Sequence, residues 1–416
     1  MYITSFKDIN NFILIKKEEN GRDIRLYNFE NVRLVGISNY YPNILFMTEN
    51  YEQLILPLKE MSISLHKKSY YEENGMIFNN IENYENYNII NQELYFFIYN
   101  TENYYHFIYD TLPYLYCYLE IRKSNKDLKL LMNYNKGKNV LLPFVKETLE
   151  LLNIYEKDII IHNPNNKYKK IYLSNSLTHD GLSNQKPREE IFKIYDILVK
   201  KALEKEVNIP KYKKIYISRR TNNKKCNINI GTDYTQRRKL LNENELVKNL
   251  ENLGFKEFFG EELNMLQKII FFNKADIVIG AIGGTITNTV FCNKMCKIIC
   301  LVSPDFLRIN QRMKYILNNN TILFNDTYLD KKDNLVPLNV RIKVIDENNK
   351  YYNFLGEIDN YTNNKYLIKL ANNYIGWNQE ETYQTVELEE KQFITLDNGL
   401  NSPWFVKMDK LLYILY

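Results

Sequence analysis

Asp276-Ile277-Val278-Ile279-Gly280-Ala281-Ile282-Gly283-Gly284-Thr285 reads as an apolar strand that breaks on glycines and turns into a helix. Its branched residues are consecutive rather than alternating, the pattern of a strand covered on both faces. Two adjacent glycines permit a tight turn and let a ligand approach the backbone closely. A helix opening there would aim its first amides and the positive end of its dipole at an anion. In an open parallel sheet this carboxyl edge is where ligands bind. The pattern is not Gly-x-Gly-x-x-Gly, and no Gly-Lys-Ser/Thr follows, which argues against a dinucleotide fingerprint and against a P-loop. A tight turn without a ligand is the competing reading.

The flanks carry the same alternation. Lys214–Ser218 is a strand, and Asn242-Glu243-Asn244-Glu245 is a capping-box-like start for a helix to about Asn252. Gly254 ends that helix and Phe255–Phe259 is the next strand. Asn264-Met265-Leu266-Gln267 opens a second helix, and Lys297–Val302 is a strand after the glycine turn. Strand and helix alternating at this spacing predict a parallel sheet covered on both faces.

Further upstream, Tyr104–Lys123 is helical, Leu128–Met132 a buried strand and Pro143–Ile154 a helix with proline in its first turn. Asp158–Ile161 and Lys170–Leu173 are strands, and Arg188–Lys205 is an amphipathic helix. Residues 1–95 are short strands and turns, with Asn31–Ile37 and Gln53–Pro57 the clearest runs. Glu206–Lys213 reads as a connection. Beyond Leu335 the runs Val340–Val344 and Thr385–Leu388 alternate strictly, and Asn348-Asn349 and Asn363-Asn364 mark turns, so the tail is β-rich. The division is 1–95, the β-rich start of a first lobe; 96–208, its α/β part; 209–334, a second α/β lobe; and 335–416, a small β-rich module.

Composition narrows the function. A charge of +5 over 416 residues gives no case for nucleic-acid binding, which needs basic residues gathered on one face. It leaves room for a local basic pocket. Five cysteines, Cys117, Cys226, Cys292, Cys296 and Cys300, show no paired framework and suggest buried thiols in a reducing compartment. No stretch approaches the ~20 apolar residues that span a bilayer. No leader pattern opens the chain, and a cytoplasmic setting is expected.

Two further groups can carry chemistry. Arg219-Arg220 follow directly on the strand ending at Ser218, at the same edge as the glycines, and Arg237-Arg238 lie close in sequence. The fixed guanidinium fork suits phosphate oxygens. In Tyr104-Tyr105-His106-Phe107-Ile108-Tyr109-Asp110, a helix puts His106 and Asp110 on one face. A histidine beside a carboxylate is a general-base arrangement. No Gly-x-Ser-x-Gly elbow and no zinc-type histidine pair are present.

These pieces, in this order, resemble glycosyltransferase family 61. The resemblance rests on Asn103-Tyr104-Tyr105-His106 with Asp110, Ile217-Ser218-Arg219-Arg220, Arg238-Lys239-Leu240-Leu241-Asn242-Glu243, Glu262, and Gly280-Ala281-Ile282-Gly283-Gly284-Thr285. It covers roughly residues 95–305. It implies a GT-B architecture, two Rossmann-like lobes with a central cleft, and inversion at the anomeric carbon. The donor implied is a nucleotide-sugar, a UDP-sugar by expectation, and the acceptor a glycan or glycoprotein hydroxyl. Donor contacts are expected from Arg219, Arg220, Arg238, Asn242, Glu262, Gly280, Gly283, Gly284 and Thr285, and the base is His106 or Asp110. Ile282 stands where the family turn usually carries histidine. That departure supports the alternative, a catalytically inactive glycan- or nucleotide-sugar-binding protein of the same fold. No Asp-x-Asp occurs, so cationic side chains rather than a metal ion are expected to hold the diphosphate, with no separate cofactor.

Overall fold

The computed structural model describes residues 5–8, 12–17, 23–35, 45–47, 52–55, 87–134, 139–178, 187–219, 238–260, 262–309, 320–330, 335–371 and 384–416. Arg220, Arg237, Cys226, Gly36-Ile37 and Leu56-Pro57 lie outside the described residues. The chain divides into two compact units, Met1–Asn208 with Asn264–Ile270, and Ile209–Leu263 with Phe271–Tyr416. The protein is mixed α/β, with parallel sheets and a β-rich C-terminal region.

The first unit is built on β1 (Ser5–Asp8), β2 (Phe12–Lys16), β3 (Ile24–Val35), β4 (Leu45–Met47), β5 (Glu52–Ile55), β6 (Asn88–Phe96), β7 (Lys129–Met132), β8 (Ile159–Ile161) and β9 (Asn166–Ser174). They form one sheet in the order β1-β5-β4-β3-β9-β6-β7-β8, with β2 also on β3. The part β9-β6-β7-β8 is parallel. From β6 the chain steps outward to β7 and β8, and β9 lies on the other side of β6. The sheet order therefore reverses at β6, the strand that leads to His106. Leu94, Tyr95 and Phe96 at the end of β6, Leu130 and Leu131 in β7 and Ile171 in β9 are buried, and the strands are apolar where they pass through this core. The helices Leu115–Arg122, Pro143–Leu151 and Glu190–Leu203 belong to this unit.

The expected helix over Tyr104–Lys123 is not uniform. His106–Thr111 is a π turn, Leu112–Tyr114 a 3-10 turn, and only Leu115–Arg122 is regular α-helix. Pro113 supplies the reason. It has no amide hydrogen, and its ring would press on the carbonyl four residues earlier in an α-helix. The backbone widens instead, and the Leu112 amide reaches back to the Phe107 carbonyl.

The second unit holds β10 (Lys214–Ile217), β11 (Lys256–Phe258), β12 (Ile277–Ala281), β13 (Lys297–Leu301) and β14 (Thr321–Phe324). All pair in parallel, in the order β11-β10-β12-β13-β14. This is a doubly wound order that changes direction between β10 and β12, and such a switch point is where ligands sit in open α/β sheets. The helices Glu243–Asn252 and Met265–Asn273 connect the first three strands. Gly254, at φ +81°, ends the first of them as expected.

The two capping signals part ways. Asn264 and Gln267 form a reciprocal box, with Asn264 Oδ1 accepting the Gln267 amide at 2.9 Å and Gln267 Oε1 accepting the Asn264 amide at 3.1 Å. Asn242 makes no such cap. Its side chain donates to the Val406 carbonyl at 2.8 Å and accepts the Val406 amide at 3.1 Å. After the glycines the chain forms a 3-10 helix, Thr285–Phe291, where a regular helix was expected.

Strands β15 (Thr327–Leu329), β16 (Arg341–Val344), β17 (Leu355–Thr362), β18 (Lys365–Ala371), β19 (Gln384–Leu388), β20 (Phe393–Thr395) and β21 (Trp404–Val406) complete the unit. The sheet β19-β18-β17-β16-β20 is antiparallel around Val340, Ile342, Ile358, Tyr366 and Ile368. Asn363 and Asn364, at φ +49° and +61°, make the two-residue turn that joins β17 to β18. Then β21 leaves this module, pairs with β15, and buries Trp404 and Val406 in the core beneath β10, β12 and β13, where Leu411 of the following helix, Met408–Tyr413, joins them. Among the described residues, no helix is long and apolar enough to cross a membrane.

Candidate functional site

One cluster of chemical groups lies in each unit. In the first, β6 ends and the chain enters a turn held by asparagines. Asn100 Oδ1 accepts the amides of Glu102 at 3.2 Å and Asn103 at 3.0 Å. Asn103 Oδ1 in turn accepts the His106 amide at 3.2 Å. Asparagine suits both positions because its short carboxamide reaches back to nearby amides. Thr111 donates to the Asn100 carbonyl at 2.9 Å and Tyr195 to the Ile108 carbonyl at 2.8 Å, so the π turn is fastened at both ends.

On this turn His106 Nδ1 lies 2.5 Å from Asp110 Oδ2. The wider π turn keeps residues four apart in line, so the pair closes although the backbone is not α-helical. The side chains are 18% and 8% exposed, so water reaches the imidazole more readily than the carboxylate. With Nδ1–H directed at Asp110, Nε2 is the acceptor nitrogen. Among the described residues it has no hydrogen-bond partner. Tyr105 packs edge-on to the imidazole at 5.1 Å between ring centres, which restrains its rotation.

The second cluster stands at the carboxyl edge of the parallel sheet. Tyr216 and Ser218 point to the same side of β10, and Arg219 follows. Glu243 Oε1 accepts all three, from Tyr216 Oη at 2.8 Å, Ser218 Oγ at 3.1 Å and the Arg219 amide at 2.8 Å. Burial, reinforced by the adjacent Glu243 carboxylate, pushes the Tyr216 phenol far above its usual value, so it stays a donor. Glu243 therefore fixes the backbone from which the Arg219 side chain departs.

That side chain reaches the glycine turn. A Cβ placed on Gly283 would lie 3.5 Å from Arg219 Nη1, and the backbone there has φ +154°. Gly283 combines an unusual backbone angle with a guanidinium at close range. Gly280 has a different role. Within β12, a Cβ would meet the Ile217 Cβ at 3.0 Å and the Ile286 side chain at 3.1 Å, so its glycine is a packing requirement. Ile282 is 2% exposed and contributes bulk to the interior. Gly284 begins the 3-10 turn that Thr285 continues.

Arg238 also lies in this unit. It holds φ +54°, donates its amide to the Asn401 carbonyl at 2.8 Å and accepts Trp404 Nε1 at 2.9 Å. Its guanidinium lies over the Phe306 ring at 4.5 Å, just beyond the carboxyl end of β13. Asn242 is committed to β21, as described. Glu262 is exposed in the loop after β11, with its amide on the Phe259 carbonyl at 3.1 Å.

In the sequence Glu243 is part of a capping-box pattern and of the family-like stretch Arg238–Glu243, and its role as a buried acceptor was not expected. The available signal was Tyr216-x-Ser218, two donors on one strand face that need a buried acceptor. Cys292, Cys296 and Cys300 are free thiols, and burial pushes Cys300 far up. Among the described residues no group of histidine, cysteine and carboxylate side chains could hold a metal ion.

A search of the curated proteins finds no match. The profile of the family described as Glycosyltransferase 61 matches residues 104–299. The match opens two residues ahead of His106, ends within β13, and so takes in His106, Asp110, Arg219, Glu243 and the glycine turn. Over this stretch the chain is similar to glycosyltransferase family 61.

Proposed function

We propose that the protein is an inverting, metal-independent glycosyltransferase that moves a sugar from a nucleotide-sugar, UDP-linked by preference, to a hydroxyl of a glycan or protein acceptor. The two units are then the lobes of a GT-B enzyme working in a cytoplasm. One observation carries the reading. The Arg219 guanidinium lies against Gly283 at the switch point of a parallel sheet, where amides and cations can hold a diphosphate.

In this mechanism the acceptor oxygen attacks the anomeric carbon. His106 Nε2 takes the hydroxyl proton as the new C–O bond forms. The bond from that carbon to the diphosphate breaks on the opposite face, which inverts the centre. Its electron pair stays with the departing nucleoside diphosphate, and Arg219 and Arg238 offset the added charge. Asp110 holds Nδ1–H and stabilises the imidazolium, a division of labour supported by their 2.5 Å contact.

His106→Ala is expected to lower turnover ~100-fold or more, the scale for a lost general base. Asp110→Asn should lower it with donor affinity little changed in both variants. Sugar-nucleotide hydrolysis and transfer assays test this, and near-normal rates in both variants would remove the pair from the mechanism. EDTA should leave the rate intact; strict dependence on Mn²⁺ would contradict the cationic mechanism. The buried Ile282, where family members usually carry histidine, favours a second reading as a binding protein. Donor binding with no turnover would be its signature.

A further inference from the structure

The carboxyl edge continues past the glycine turn. Ala281 pairs in register with Leu301, and Leu301 with Phe324, so the chain leaves β12, β13 and β14 side by side at Gly283, Ser303 and Asn325. Neighbouring strands stand ~4.8 Å apart. A group attached to a phosphate at Gly283 therefore comes over β13 and β14 within one or two strand spacings.

At that place lies a cavity of about 340 Å³, lined by Val302, Ser303, Pro304, Asp305, Leu307, Asn325 and Thr327. Cavities of this size hold small ligands. Ser303 is 3% exposed, and its hydroxyl has no hydrogen-bond partner among the described residues. A buried hydroxyl without a partner costs about 1–3 kcal/mol, so a ligand that supplies one gains that difference. Thr327 Oγ1 donates to the Val302 carbonyl at 2.6 Å, which leaves its lone pairs as acceptors. Asp305 Oδ2 accepts the Asn398 amide at 3.3 Å, which positions the carboxylate.

The lining contains a hydroxyl pair, an amide and a carboxylate, and no aromatic ring. A nucleobase offers wide π faces and gains most from stacking on aromatic side chains. A sugar offers hydroxyls around a small ring, each able to donate and to accept, which is what this set matches. Asp305 disfavours a second carboxylate nearby.

We propose that this cavity is the subsite for the donor's glycosyl group and that it selects a neutral sugar over a uronic acid. The inference rests on the transferase reading above. The test compares binding of UDP, GDP, UDP-glucose, UDP-N-acetylglucosamine, UDP-xylose, GDP-mannose and UDP-glucuronate to the full chain. Ser303→Leu fills the cavity from one wall and Leu307→Trp from another, and retained nucleotide binding serves as the folding control for both. Expected is a loss of ~10-fold or more in affinity for the best neutral nucleotide-sugar, with the parent nucleoside diphosphate held within ~2-fold. UDP-glucuronate should bind the unmodified protein at least ~10-fold more weakly than the best neutral UDP-sugar, and Asp305→Asn should narrow that gap. Equal losses for nucleotide-sugar and free nucleotide would assign the cavity to the nucleoside and overturn the proposal. So would unchanged binding of the sugar donor in both variants. If the unmodified protein binds no nucleoside diphosphate at all, the transferase reading itself fails, and this subsite with it.

Discussion

At the scale of single residues, Glu243 decides how the second unit's edge is presented. Its Oε1 accepts three donors in a setting that is 5% exposed. Removing a buried acceptor leaves its donors unsatisfied, and that costs more than the bonds contributed. Glu243→Ala is expected to lose about 2–4 kcal/mol of stability and to release the strand end that carries Arg219. UDP affinity should fall ~10-fold with it, since charge-assisted bonds contribute about 1.5–3 kcal/mol. Glu243→Gln keeps an acceptor oxygen in place and should retain most of both. Urea unfolding and UDP titration on the two variants separate them; an alanine variant with unchanged midpoint and affinity would leave Glu243 without this role. The residue shows where reading the sequence stops. Asn242-Glu243 has the letters of a cap, and only the fold reveals that Asn242 serves β21 and Glu243 serves β10. His106 and Asp110 were legible because their contact is local, and a spacing of four survives the change from α to π turn.

At the scale of elements, the parallel sheet was legible for the same reason. The strands β10, β12 and β13 are short apolar runs closed by a polar or glycine signal, and that information sits inside the run itself. The return of β21 was not legible, because its partners lie far away in sequence. Leu329 pairs with Trp404, and Leu240 bridges to the same residue. A tail that alternates like its neighbours gives no sign that its last turn leaves them. Trp404 is 1% exposed, packs in the core beneath β10, β12 and β13, and donates its indole N–H to the Arg238 carbonyl. It therefore couples the chain's end to a residue of the proposed donor site. Trp404→Ala should lose about 3–5 kcal/mol, the range for emptying a large aromatic from a core. Trp404→Phe refills most of the volume but leaves the Arg238 carbonyl without the indole donor. It should recover much of the stability and less of the nucleotide affinity. Thermal melting beside UDP binding checks both; affinity that tracks stability alone would argue against a specific link through Arg238.

At the scale of the whole molecule, 55 basic and 50 acidic side chains leave a charge of +5, and acid raises it. His162 and Glu93 are among the buried or bonded groups through which acid acts on the first unit. His162 has its Nδ1 2.6 Å from Tyr168 Oη, and burial holds it down to about 4, against an ordinary value near 6.5. Glu93 is held below the usual carboxylate range by the hydrogen bond from Lys170, helped by Tyr172 and Asn125 against the opposing effect of burial. Both groups favour folding in their deprotonated form. For His162 the unfolded chain takes up a proton first, so its contribution is fully present above pH ~6.5 and is lost as pH falls toward ~4. The loss is at most about 3 kcal/mol for a shift of this size. Glu93 adds its share only below the ordinary glutamate value of 4.5, so the histidine acts first. Urea midpoints should therefore decline between pH 6.5 and 4.5 in the unmodified protein. His162→Gln removes the titrating ring and keeps a hydrogen-bonding group for Tyr168, so its midpoints should stay nearly level over the same interval before falling with the carboxylates. A variant that declines in parallel with the unmodified protein would assign the acid sensitivity to the general rise in charge instead of to this one imidazole.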